Sequence, residues 1–82
     1  MMYTKVQFGK NLKQRVIARE NVESIGRWAF STYWKHILDI EEDVVDIALH
    51  LNTMELGYQF AYSYEELDQI ADDLIAGKEV KL

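Results

Sequence analysis

The segment from Asn21 to Ile37 carries too much apolar surface for an ordinary helix, and this constrains the chain more than any other feature. Projected at ~100° per residue, Val22, Ile25, Trp28, Ala29, Phe30, Tyr33, Trp34 and Ile37 cover roughly two-thirds of the circumference. Ser24, Arg27, Ser31 and Lys35 form the polar wedge that remains. A surface helix needs an apolar arc of little more than ~100°, so this one must be covered on more than one side. Gly26 falls inside the apolar arc. An interior glycine costs up to ~1 kcal/mol relative to alanine, so its place in the arc points to a close backbone approach. Asn21 is the expected N-cap.

The next segment repeats the pattern. Asp39 is the expected cap of a helix from Ile40 to Leu56, with Glu41, Glu42 and Asp43 in its first turn, where the helix dipole favours negative charge. Ile40, Val44, Ile47, Leu51 and Met54 form one stripe; Val45, Leu49 and Leu56 form a second on nearly the opposite side. Gly57 suits the position after the helix end. A third helix is expected from Tyr64 to Ala76. Ser63 and Glu66 fit a capping box, Leu67, Ile70, Ala71 and Leu74 share one face, and Gly77 closes it.

The ends of the chain read as extended. Met2, Thr4, Val6 and Phe8 alternate with Tyr3, Lys5 and Gln7, a strand period that ends at the turn signal Gly9-Lys10-Asn11. Leu12 to Ala18 fits either a returning strand or a helix capped by Asn11 with Gln14. Tyr58–Tyr62 fits a short strand or an extended connection that folds its rings over the core. Val80 and Leu82 fit a terminal strand. The expected fold is therefore mainly helical α+β: an N-terminal strand or hairpin, then three helices, with 58–62 open between a short strand and an extended connection, in one domain over residues 1–82.

Composition narrows the function classes. Hydrophobic residues make up 49% of the 82, enough for a core and too many for a disordered chain. There is no cysteine, hence no disulfide and no thiolate metal site. Met1-Met2-Tyr3-Thr4-Lys5 lacks the apolar region of a signal peptide, and no apolar run reaches the ~18 residues of a membrane span. A cytoplasmic protein without membrane contact is expected.

Charge is divided by position. Through Leu38 seven Lys or Arg face Glu20 and Glu23; from Asp39 twelve Asp or Glu face Lys78 and Lys81. The halves carry +5 and −10, which gives the net −5. The cations Lys5, Lys10, Lys13, Arg15 and Arg19, interleaved with Tyr3 and Phe8, offer phosphate contacts to a nucleic acid. The acidic remainder would repel the same polyanion, so the favoured reading sets this segment against acidic helices of its own or a neighbouring subunit.

No reactive constellation stands out. Asp46 and His50 sit four apart, with Asp43 near, but a metal site needs three or four protein ligands. A surface contact explains the pair better. His36 suits the C-terminal end of a helix dipole. The serines lack a nucleophile motif, the Asp39–Asp46 run lacks calcium-loop spacing, and no phosphate loop occurs. No cofactor, metal or catalytic residue is expected.

The expected function is a non-enzymatic protein-interaction module that self-associates or docks a basic partner through its acidic half. The interface candidates are Trp28, Phe30, Trp34, Val45 and Leu49. The acidic surface comprises Glu42, Asp46, Glu65, Asp68, Asp72 and Asp73. The alternative is a nucleic-acid-associated regulator that uses the basic segment.

Overall fold

The computed structural model describes residues 2–57, 59 and 61–80. Among the described residues four α-helices follow one another: α1 (Lys5–Ile17), α2 (Val22–Lys35), α3 (Glu42–Asn52) and α4 (Tyr64–Ile75). A short 3-10 helix, Thr53–Leu56, extends α3. Helix α1 packs on α4, α2 packs on α3 and its 3-10 extension, and α1 touches α3. The radius of gyration, 11.4 Å, matches the ~12 Å expected of a closed domain of this length.

The expected α+β fold is overturned. Among the described residues there is no strand, and the β-pairing is one isolated parallel bridge between Tyr3 and Ile40. The N-terminal segment is helical because Thr4 and Gln7 form a full capping box: the Thr4 hydroxyl accepts from the Gln7 amide, and the Gln7 side chain accepts from the Thr4 amide. From there Phe8, Leu12 and Val16 recur every fourth residue and all are buried. The alternation over Met2–Phe8 ran across this helix start, and only its last position, Phe8, belongs to the buried stripe. Residues 12–17, open between strand and helix, are helix.

The Gly9-Lys10-Asn11 turn is also corrected. Gly9 lies inside α1 and is buried against α4. A Cβ there would stand 2.8 Å from Leu74 Cβ and 3.0 Å from the Ala71 carbonyl oxygen. Gly26 does the same for the other helix pair, since a Cβ would meet the Leu51 carbonyl oxygen at 2.8 Å. This is the close approach its sequence position implied. The α1–α4 and α2–α3 contacts are thus each built around a missing side chain.

The later helices follow expectation more closely. Asn21 caps α2 by accepting from the Glu23 amide. Ser63 and Glu66 complete the capping box of α4, which buries Leu67, Ile70, Ala71 and Leu74. Asp39 is not the cap of α3. Residues 36–39 form a turn, Ile40 joins the bridge with Tyr3, and Glu41 holds the N-cap position without a side-chain bond. The α-helix stops at Asn52 rather than Leu56. Of the segment 58–62, open between strand and connection, Tyr58 and Phe60 lie outside the described residues, whereas Ala61 and Tyr62 have no regular structure. Val80 is not in a strand, and Leu82 lies outside the described residues.

Candidate interaction surface

Helix α2 divides its apolar arc between two tasks. Trp28 faces α1: its ring stacks on Phe8 at 4.9 Å between centroids, and the Arg15 guanidinium lies over it at 4.7 Å. Trp28 therefore takes part in intramolecular packing and is only partly buried. Phe30 and Trp34 are not absorbed in this way, with 38% and 56% of their surface exposed. They meet edge-on at 6.1 Å, and Tyr33 joins them at 6.2 Å from Phe30 and 5.7 Å from Trp34.

The second stripe of α3 has the same fate. Val44, Ile47, Ala48 and Leu51 are buried, Val45 is half-buried, and Leu49 and Leu56 are 40% and 71% exposed. Helix geometry places Val45 and Leu49 with the α2 aromatics. Gly26 marks the line where α2 meets the backbone of Leu51 and Asn52. At ~100° per residue, Phe30 and Trp34 lie roughly 40–80° beyond Gly26 on the side away from Ile25 and Ala29. Val45 and Leu49 lie roughly 20–60° beyond Asn52 on the side away from Val44 and Ile47. Both flanks therefore face outward from the same side of the α2–α3 pair. Ile37, at the end of α2, is 42% exposed, and Leu38 beside it is 98% exposed. Leu38 escaped the sequence reading because a lone apolar residue between helices carries no periodic signal.

Much of the charge asymmetry is spent inside the chain. Lys13 Nζ reaches Asp68 at 2.6 Å and Asp72 at 2.8 Å, which ties α1 to α4. These two carboxylates raise the Lys13 pKa. Lys5 pairs with Asp43 at 3.3 Å, Arg15 with Glu20 at 2.9 Å, and Arg27 with Glu55 at 3.0 Å. The Arg19 guanidinium lies 5.0 Å from the Tyr64 ring centroid. Asp73 accepts from Gln69. Of the basic candidates, only the exposed Lys10 is left without a partner among the described residues. The basic segment does lie beside acidic helices of its own subunit. Of the acidic candidates, Glu42, Asp46, Glu65 and Asp73 keep carboxylates unengaged by a cation among the described residues, Asp73 having only the Gln69 amide. Glu42 and Asp46 border the exposed flank of α3, whereas Glu65 stands apart on α4.

The two histidines have structural places. His50 donates its Nδ1 hydrogen to the Asp46 backbone carbonyl at 2.8 Å, so the Asp46 carboxylate is not its partner. His36 caps α2, stacks on Tyr3 at 4.2 Å and approaches Asp39 at 3.7 Å. Among the described residues no three His, Asp or Glu converge on a common point. An open cleft of about 430 Å³ between α1 and α2 is lined by Asn11, Gln14, Arg15, Ala18, Glu20 and Trp28. Its two charged groups are bonded to each other.

No protein-family model matches the chain, and comparison with curated proteins and with solved structures returns no match. Among the described residues, no helix is long and apolar enough to cross a membrane.

Proposed function

We propose that this chain is a non-enzymatic protein-interaction module whose contact surface is the outer face of the α2–α3 pair. One observation carries the reading: Phe30, Trp34, Ile37, Leu49 and Leu56 are exposed on or next to the α2–α3 pair, whereas the other exposed large apolar side chains among the described residues, Met2, Ile17 and Leu38, lie before α1, at its end and in the turn after α2. With aromatics offering ~150–250 Å² each, these five leave on the order of 500 Å² uncovered. That reaches the ~300–600 Å² of the largest apolar patch on a typical monomer, a size often tied to function. Trp and Tyr are also the residue types that dominate interface hot spots. The basic segment supports nucleic-acid binding less well, because Lys5, Lys13 and Arg15 are bound to carboxylates of the same chain.

The test is residue-specific photo-crosslinking in cells, with a photoreactive amino acid in place of Trp34, Leu49 or, as a control, Glu65. The expected result is one common partner crosslinked from positions 34 and 49 and absent from 65. A lack of crosslinks at both positions, with a monomeric solution mass up to millimolar concentration, overturns the reading.

A further inference from the structure

The outer face of the α2–α3 pair has an electrostatic rim that discriminates among occupants. On α3, Glu42 and Asp46 stand exposed and unpaired beside the flank of Val45 and Leu49. On α2, Glu23 projects to the same side as Phe30 and Trp34, and Arg27, the cation nearest that flank, is held by Glu55 at 3.0 Å. Lys35 projects roughly 100° away from Trp34. Among the described residues, the apolar face is thus bordered by the carboxylates of Glu23, Glu42 and Asp46, while its nearest cations are Arg27, paired with Glu55, and Lys35, which points away from it. A second copy in face-to-face contact would bring the same acidic rim against this one, with Lys35 directed away from the contact. Like charges brought together at an interface are costly, and opposite charges fix partner and register.

Resting on the interaction reading, we propose that this face receives an amphipathic helix from a protein partner, its apolar stripe flanked by Lys or Arg. A third helix laid along the contact line of two packed helices meets both outward flanks with its i, i+3/i+4 and i+7 side chains. The α2 anchors Phe30 and Trp34 span about one helical turn and the α3 anchors Val45 and Leu49 another, at 1.5 Å per residue. The partner's apolar anchors meet these residues, and its cations lie over Glu42 and Asp46.

The test uses two synthetic peptides of about five helical turns with an identical leucine stripe, one flanked by Lys and Arg, the other by Glu. Binding is followed by calorimetry and mapped by amide shifts on the full chain. Saturable micromolar binding of the basic peptide is expected, with the acidic twin at least ~10-fold weaker. Shifts should map to residues 30–37 and 42–49. Trp34→Ala should weaken binding ~10-fold or more. Glu42→Gln with Asp46→Asn should weaken it several-fold and reduce its salt dependence. Glu65→Gln should leave it unchanged, and circular dichroism should show each variant folded. Equal binding of the twins, or shifts centred on α1 or α4, overturns the proposal. If the chain instead dimerises and Trp34→Ala abolishes the dimer, the occupant is a second copy: this inference falls and the interaction reading stands. If neither peptide binds and the chain stays monomeric, this inference falls, and the crosslinking experiment then decides the interaction reading on its own.

Discussion

Two glycines decide how closely the helices of this protein approach, and the sequence revealed them unequally. Gly26 stood out because it interrupts an apolar arc inside a strong helical period. Gly9 followed a run that alternated like a strand, so it read as a turn; what it lacked was a clear helical frame on its N-terminal side. In the structure both hold a place where a methyl group has no room. Alanine at either position gains ~1 kcal/mol of helix propensity. It also meets backbone oxygen or Cβ atoms inside 3.0 Å, and overpacking of this kind costs ~1–3 kcal/mol. Backbone cannot swing aside as a flexible side chain does, so the clash outweighs the propensity gain. Gly9→Ala and Gly26→Ala should each lower the urea midpoint with an unchanged m-value. An alanine variant as stable as the parent would show that the helices part without cost. Trp28 and Trp34 differ in the same residue-level way. They lie on one helix, yet Trp28→Ala should cost up to ~3 kcal/mol, the low end for a core aromatic because Trp28 is only partly buried, whereas Trp34→Ala should cost far less because Trp34 is 56% exposed.

At the scale of elements, the two capping boxes show where local sequence suffices. Ser63-Tyr64-Glu65-Glu66 announced α4, and the helix starts where the motif puts it. Thr4-Lys5-Val6-Gln7 has the same form, Thr and Gln three apart, and it starts α1 in the same way. The alternation of Met2 through Phe8, which matches a period of two, masks it in the sequence. Seven residues are too few to separate that period from the spacing of four carried by Phe8, Leu12 and Val16. The α1 end hid a second signal. Arg19 takes φ +54° and closes the helix as glycine usually does, with its amide bonded to Val16 and the Glu20 amide to Arg15. The Tyr64 hydroxyl then donates to the Glu20 carbonyl at 2.7 Å, pinning this turn to the start of α4. Thr4→Ala and Ser63→Ala should each cost ~1 kcal/mol, within the ~0.5–2 range for lost caps. Hydrogen exchange should quicken in the first turn of the altered helix alone. Loss of protection along the whole of α1 in Thr4→Ala would mean that the cap nucleates the helix as well as ending it.

Across the whole molecule, the division of charge along the sequence becomes adhesion between halves. Lys13 joins α1 to α4, and Lys5 joins it to the start of α3. Tyr3 ties the N-terminus to the α2–α3 connection: its amide donates to the Asp39 carbonyl, and its carbonyl accepts from the Glu41 amide. Which carboxylate each lysine would choose was not legible, because that depends on the folded path of α4 across α1. The same arrangement predicts an alkaline weakness. The Tyr3 pKa is raised chiefly by burial, against the lowering effects of the Asn11 hydrogen bond and Arg15. The Lys13 pKa is raised by its bonds to Asp68 and Asp72. Both groups thus hold their proton more tightly folded than unfolded. Their contribution is fully present below the unfolded values and is lost as pH rises through the folded ones. Stability should therefore fall above about pH 10, where tyrosine and lysine begin to deprotonate in the unfolded chain. The Lys13 share is smaller and fades with salt, since that pair faces solvent. Denaturant midpoints measured from pH 8 to 11 should decline in the parent. The decline should be shallower in Tyr3→Phe, although losing the Asn11 bond lowers that variant's stability by ~1 kcal/mol at neutral pH. Adding Lys13→Met should flatten the curve further at low ionic strength. A double variant with the parent's full alkaline slope would place the responsible protons on other groups.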